Sequence, residues 1–91
     1  MLYLVAYDIT DDARRNRAAD ALLDFGPRVQ ESVFECLIEN DERVQELLGR
    51  LREIAAAEDS IRVVPVCASC AAKLVIIGRG EPTRDRDVYV V

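Results

Sequence analysis

The chain opens with an unbroken apolar run from Leu2 to Tyr7 that stops at Asp8, and no other stretch constrains the fold as strongly. A continuous apolar segment of this length, bounded by a turn signal, reads as a strand buried on both faces. The carboxylate at its end marks the place where a helix is about to begin. Thr10 or Asp11 can cap that helix, and Asp11 and Asp12 sit favourably at its positive end. Three arginines, Arg14, Arg15 and Arg17, fall in its first turns. One acidic group beside several permanent cations suits a site that holds a divalent metal near phosphates. The plainer alternative for Asp8 is a loop carboxylate accepting helix-terminal N–H groups.

The first helix is expected to run to about Phe25, burying Ala18, Leu22 and Phe25 with Ala19 and Leu23 alongside, and Gly26-Pro27 stops it. From Arg28 to Glu39 the chain is extended, with an alternation that slips phase at Val33-Phe34. Such a slip marks a bulge, a sharp bend or a tight hairpin. Asn40 or Asp41 caps a second helix over about 41–57, whose stripe of Val44, Leu47, Leu48, Leu51, Ile54 and Ala55 is strongly amphipathic. Glu46 and Arg50 form an i,i+4 pair on its wet side. Ile61 to Cys67 reads as another strand, and Leu74 to Ile77 as a fourth apolar run.

The β-prone end, Val88 to Val91, would be a sticky edge if unpaired, and is expected to add to a partner's sheet. These elements give an α+β sandwich of one sheet and two helices. If 28–39 is a hairpin the order is βαββαβ, the ferredoxin-like arrangement; if it is one strand, a small parallel βαβ sheet is possible. The phase slip favours the hairpin. A ferredoxin-like domain over 1–80 is then followed by a linker and dimer-pairing strand over 81–91.

Composition narrows the chemistry. At 91 residues the chain is one domain, with no apolar segment near the ~20 residues needed to span a bilayer. No charged stretch followed by an apolar one opens it, so a cytoplasmic location with no membrane association is expected. The formal net charge of -5 argues against a protein coated in basic residues, though local charge matters more than the sum within a Debye length. The absence of histidine removes Ser-His and Cys-His nucleophilic pairs, histidine general bases and imidazole zinc sites. Catalysis must run through carboxylates, tyrosine, cysteine or a metal. Cys67-Ala-Ser-Cys70 has CxxC spacing, but a four-thiolate zinc site would need a second pair from another chain. Semi-buried structural thiols at a strand end are the expectation.

Taken together, Tyr7-Asp8-Ile-Thr-Asp-Asp, Arg15-Asn-Arg17, Arg28-Val-Gln and Ser32-Val-Phe-Glu-Cys36 resemble the small CRISPR-associated Cas2 proteins. The tail, Ile77-Gly-Arg-Gly-Glu-Pro82 and then Asp87-Val-Tyr-Val, is similar too, so the resemblance covers essentially the whole chain. It implies a ferredoxin-like homodimer whose C-terminal strands pair onto the other protomer's sheet, and a Cas1 integrase as partner in spacer acquisition. It also implies a metal-dependent endonuclease acting on RNA or double-stranded DNA, with two copies of Asp8 facing one another around Mg²⁺ or Mn²⁺. Functional weight falls by the same resemblance on Tyr7 beside Asp8 as catalytic, and on Arg15, Arg17, Arg28, Ser32 and Phe34 as nucleic-acid-binding. Glu31 departs from the tyrosine or lysine common there, which lowers positive potential if it faces the cleft.

Three arginines from each protomer would neutralise six phosphates, for a salt slope of about −5. A non-catalytic scaffold that holds DNA between integrase dimers, and a toxin-like RNA interferase, are the competing functions.

Overall fold

The computed structural model of the chain describes residues 1–83. Its elements run β1 (Leu2–Asp8), α1 (Asp12–Leu23), β2 (Arg28–Gln30), β3 (Val33–Leu37), α2 (Asp41–Ile54), β4 (Ser60–Val66) and a single helical turn, α3 (Ala68–Ala71). The strands lie in the order β2-β3-β1-β4, and every neighbouring pair is antiparallel. This is the ferredoxin-like arrangement. The 28–39 segment is therefore a hairpin, turning at Glu31 and Ser32, with its register irregular between Arg28 and Gln30. That irregularity and the tight turn together account for the slipped alternation. The stretch expected to form a strand at 88–91, with its pairing to a partner, lies outside the described residues.

Alternation along the strands divides the sheet into two unlike faces. Val5, Tyr7, Phe34 and Cys36 point toward the helices and pack with Ala18, Leu22, Phe25, Leu47 and Leu51 in the core, with Tyr3, Ile61 and Val63 against it. The even-numbered positions of β1 share the other face with their cross-strand neighbours. Leu4 lies between Glu35 and Val64, Ala6 between Val33 and Arg62, and Asp8 opposite Ser60. No helix covers that face among the described residues. Leu2 is buried there, but Leu4 and Ala6 are only half-buried and Val64 is exposed, so the apolar run of β1 is less completely sealed on this side than on the helix side.

Both helices begin where capping chemistry places them. Asp11 accepts the Arg14 N–H at 2.9 Å, and Asn40 accepts the Arg43 N–H at 2.9 Å. α1 buries Ala18, Ala19, Ala21 and Leu22, but Leu23 is exposed because it lies one residue around the helix from the contact stripe. Phe25 is buried just beyond the helix end. Gly26 is fixed by proximity: a Cβ there would stand 2.1 Å from the Glu35 carbonyl oxygen, so only glycine lets this turn pass against β3.

The Glu46–Arg50 pair does not form. Arg43 takes Glu46 at 2.8 Å, and Arg50 reaches across to Asp24 at the end of α1, also at 2.8 Å. Residues 74–77 form no strand; Val75 and Ile77 stand largely in solvent.

Candidate functional site

Asp8 ends β1 as an exposed residue on the helix-free face. Its backbone is held on one side by pairing with Ser60 and is followed by a loop that Arg15 braces. The Arg15 guanidinium reaches back from α1, its Nη1 donating to the carbonyls of Ile9 and Thr10 at 3.2 Å each. Its Nη2 is engaged with Asp12. Arg15 thus spends its donors on the loop that presents Asp8.

Tyr7 leaves the strand on the opposite face. It is 6% exposed, its ring packing at 6.2 Å between centroids from that of Phe34. Its hydroxyl accepts from Arg28 Nη2 at 3.1 Å and lies 3.5 Å from the Glu31 carbonyl oxygen. Arg28 Nε donates to the same Glu31 carbonyl at 2.8 Å, and its guanidinium sits 5.5 Å from the Phe34 ring centre. These contacts tie the end of β1 to the β2–β3 turn, as does the Tyr7 N–H bond to the Ser32 carbonyl at 3.1 Å. Adjacent residues on a strand point to opposite faces, so the Tyr7 hydroxyl and the Asp8 carboxylate diverge. In this chain Tyr7 ties the β2–β3 hairpin to the end of β1.

Phe34 lies deeper still. It is 0% exposed, at the centre of the core, and offers no face for base stacking. Ser32 is half-buried in the hairpin turn, where its carbonyl is used by Tyr7. Of the three arginines expected to dock phosphates, only Arg17 is exposed with no ion pair or hydrogen bond to the described residues. Arg15 and Arg28 hold local structure. Two residues apart on α1, Arg15 and Arg17 point in different directions.

The sequence reading passed over Arg62 and Glu35. Arg62 is exposed on β4, on the same face as Asp8 and two residues from Asp8's cross-strand neighbour Ser60. Its signal was the alternation of β4, which sets Ile61 and Val63 inward and Arg62 outward. Glu35 is 6% exposed on the helix-free face, where its carboxylate accepts the Thr83 N–H at 3.4 Å. It lines a groove of about 560 Å³ between β2–β3 and residues 74–83, with Arg28, Arg79 and apolar Leu4, Val33, Leu74 and Ile76. No group of three or more acidic or thiol side chains able to hold a metal exists among the described residues of one chain. Asp8 therefore stands alone unless a second copy supplies its counterpart.

Residues 1–74 match the family model described as CRISPR associated protein Cas2. The chain belongs to the Cas2 family. It is 39% identical over 94 residues to the CRISPR-associated endoribonuclease Cas2 1 of Chloroflexus aurantiacus, covering all of both chains. It is similar in structure to Streptococcus pyogenes Cas2, with a TM-score of 0.75 and 30% identity over 86% of this chain and 100% of that one. A chain of a partial Cas6-RT-Cas1–Cas2 complex also matches, with a TM-score of 0.59 and 26% identity over 68% of this chain and 76% of that one. The ferredoxin-like sheet and the Cas2 family are thus supported together. No helix among the described residues is long and apolar enough to cross a membrane.

Proposed function

We propose that the chain is a nuclease subunit of a CRISPR adaptation module, a homodimer that hydrolyses phosphodiesters of RNA or double-stranded DNA and works beside a Cas1 integrase. The observation that carries this reading is the position of Asp8: an exposed carboxylate at a strand end, on the one sheet face that no helix covers. The endoribonuclease name of the Chloroflexus relative supports the reaction class.

A single carboxylate is a poor magnesium site, whereas two with several waters meet the ion's usual demands. The donor set therefore fits Mg²⁺ or Mn²⁺ only when two helix-free faces meet and bring both Asp8 side chains together. When bound, such an ion polarises phosphoryl oxygens and makes water a stronger acid. The chain's own residues do the rest. Asp8 holds the ion, Arg15 fixes the loop that aims Asp8, and Tyr7 with Arg28 holds the hairpin against the same strand end. Arg17 and Arg62 are among the exposed cations available to phosphates.

Asp8→Asn tests the reading. The variant is expected to fold and dimerise as the parent does while metal-dependent cleavage drops to background. Cleavage at the parental rate by Asp8→Asn would overturn it. A second reading, a DNA-binding scaffold that cuts nothing, is favoured by the match to a chain in a complex with Cas1 and by exposed cations such as Arg17 and Arg62 that pair with nothing among the described residues. Spacer acquisition in cells separates the two: acquisition that survives Asp8→Asn while cleavage is lost makes the scaffold the working role.

A further inference from the structure

Cys67 and Cys70 take no part in the Asp8 face, and they are not the semi-buried thiols expected from the sequence. Both are exposed. β4 ends at Val66, and Cys67 leads directly into the single turn of α3. The Ala71 N–H bonds to the Cys67 carbonyl at 2.8 Å, closing a turn that brings residues 67 and 70 to the same side. Cys67 Sγ lies 3.2 Å from the Ser69 hydroxyl oxygen, and the Cys70 N–H and thiol also hydrogen-bond toward it.

These donors make the pair unequal. The Ser69 hydroxyl first, then the Cys70 N–H and thiol, bring the Cys67 pKa down to about 7. Cys70 moves the other way, because its thiol gives a hydrogen bond to Cys67 and would ionise beside a charged sulfur. Cys36 differs from both: it is fully buried, and burial pushes its thiol up to about 11.

A metal does not account for the pair within one chain. Structural zinc takes four ligands, the chain has no histidine, and no third acidic or thiol group stands near among the described residues. What remains is an accessible dithiol with one ready nucleophile and one protonated neighbour.

We propose that Cys67 and Cys70 form a reversible thiol–disulfide couple that exchanges with low-molecular-weight disulfides such as glutathione disulfide. The Cys67 thiolate attacks one sulfur of the incoming disulfide. That S–S bond breaks, one glutathione leaves with the electron pair and takes a proton from water, and a Cys67–glutathione disulfide forms. Cys70 then loses its proton to solvent and attacks Cys67 Sγ, which expels the second glutathione as a thiolate that is protonated in turn. The two cysteines are oxidised by two electrons and the glutathione disulfide is reduced by two. The bond so formed closes the α3 turn covalently, at the point where the chain leaves β4 for the segment that reaches Glu35.

The test uses the full chain, reduced and desalted, in a series of glutathione redox buffers, followed by acid quenching, intact mass and alkylation mapping. The parent is expected to lose two hydrogens and to protect Cys67 and Cys70 from alkylation, with Cys36 labelled only after denaturation. Cys70→Ser is expected to stop at one glutathione on Cys67. At pH 7 the gain in thiolate outweighs the loss in intrinsic nucleophilicity, so Cys67 should be alkylated about threefold faster than an unperturbed thiol. Both positions are exposed, so unchanged far-UV circular dichroism is expected of the variants. The proposal is overturned if the parent keeps both thiols free under buffers that glutathionylate Cys70→Ser. It is equally overturned if oxidation only cross-links separate chains, or if one zinc per two chains protects four thiols.

Discussion

Tyr7→Phe is the sharpest probe of how the end of β1 is built. The substitution keeps the ring that packs against Phe34 and removes only the oxygen that Arg28 Nη2 reaches at 3.1 Å. Hydrogen bonds from charged donors contribute about 1.5–3 kcal/mol when shielded. Arg28 is exposed and its Nε keeps the Glu31 carbonyl at 2.8 Å, so water takes over part of the lost bond. The 3.5 Å contact from the hydroxyl to Glu31 adds little.

A destabilisation of about 1 kcal/mol remains, which for a domain of this size lowers Tm by about 4–8 °C. Parent and variant should be melted at equal chain concentration, since association makes Tm concentration-dependent. Cleavage measured well below both midpoints should then stay within about threefold of the parent, as for a residue that never touches the reacting atoms. A Tm that does not move, together with cleavage lost to background, would refute the tether and put the hydroxyl into the chemistry.

Gly26→Ala should destabilise the fold by about 1–3 kcal/mol or more, because its Cβ would collide with the Glu35 carbonyl oxygen at 2.1 Å; an unchanged urea midpoint would refute that close approach. Asp59, with a side chain 1% exposed, accepts from Arg14 Nε and the Ala56 N–H at 2.8 Å each, and these bonds hold its carboxyl below the ordinary carboxylate range. The fold then binds fewer protons than the unfolded chain, so the contribution is full above the unfolded value of about 3.9 and fades as pH falls through the folded one. Urea midpoints of the parent and Asp59→Asn should differ by a constant amount from pH 7 to 5 and converge in more acidic buffers; a gap that persists unchanged there refutes it. On duplex DNA, Arg17→Ala should lower the magnitude of the salt slope by about two per dimer, whereas Arg15→Ala should leave it nearly unchanged. The reverse order would mean that Arg15 releases its loop to bind phosphate.

Periodicity revealed the elements because each strand and helix of this chain has one wet and one dry side. The α2 stripe, the caps at Asp11 and Asn40, and the stop at Gly26-Pro27 are local signals, set by residues within a turn or two of one another. What escaped was non-local. That Arg15 curls back onto Ile9 and Thr10, that Arg50 prefers Asp24 over Glu46, and that Arg28 meets Tyr7 all depend on which elements become neighbours. For Phe34, the alternation within β3 shows only that it shares a face with Cys36. Which face is covered by helices is decided by the sheet order. Likewise, Asp8 stood out as a strand-end carboxylate, while Arg62 gained interest only once β4 was known to lie beside β1.

The two faces of β1 pose one physical problem and the proposed dimer answers it. An apolar run with no polar alternation belongs to a strand covered on both sides. Here Tyr3, Val5 and Tyr7 are covered by helices, while Leu4 and Ala6 lie on a face without one. A second copy laid against that face would remove apolar surface from water, and the symmetry of such a contact requires the same patch on both sides. The same approach would force two Asp8 carboxylates into one partly desolvated space, where like charges repel more strongly than in water. A divalent cation relieves that repulsion. In the proposed assembly, burial of the apolar surface still open on this sheet face supplies the attraction, the paired carboxylates supply the need for a metal, and a reactive centre arises at the interface without any histidine.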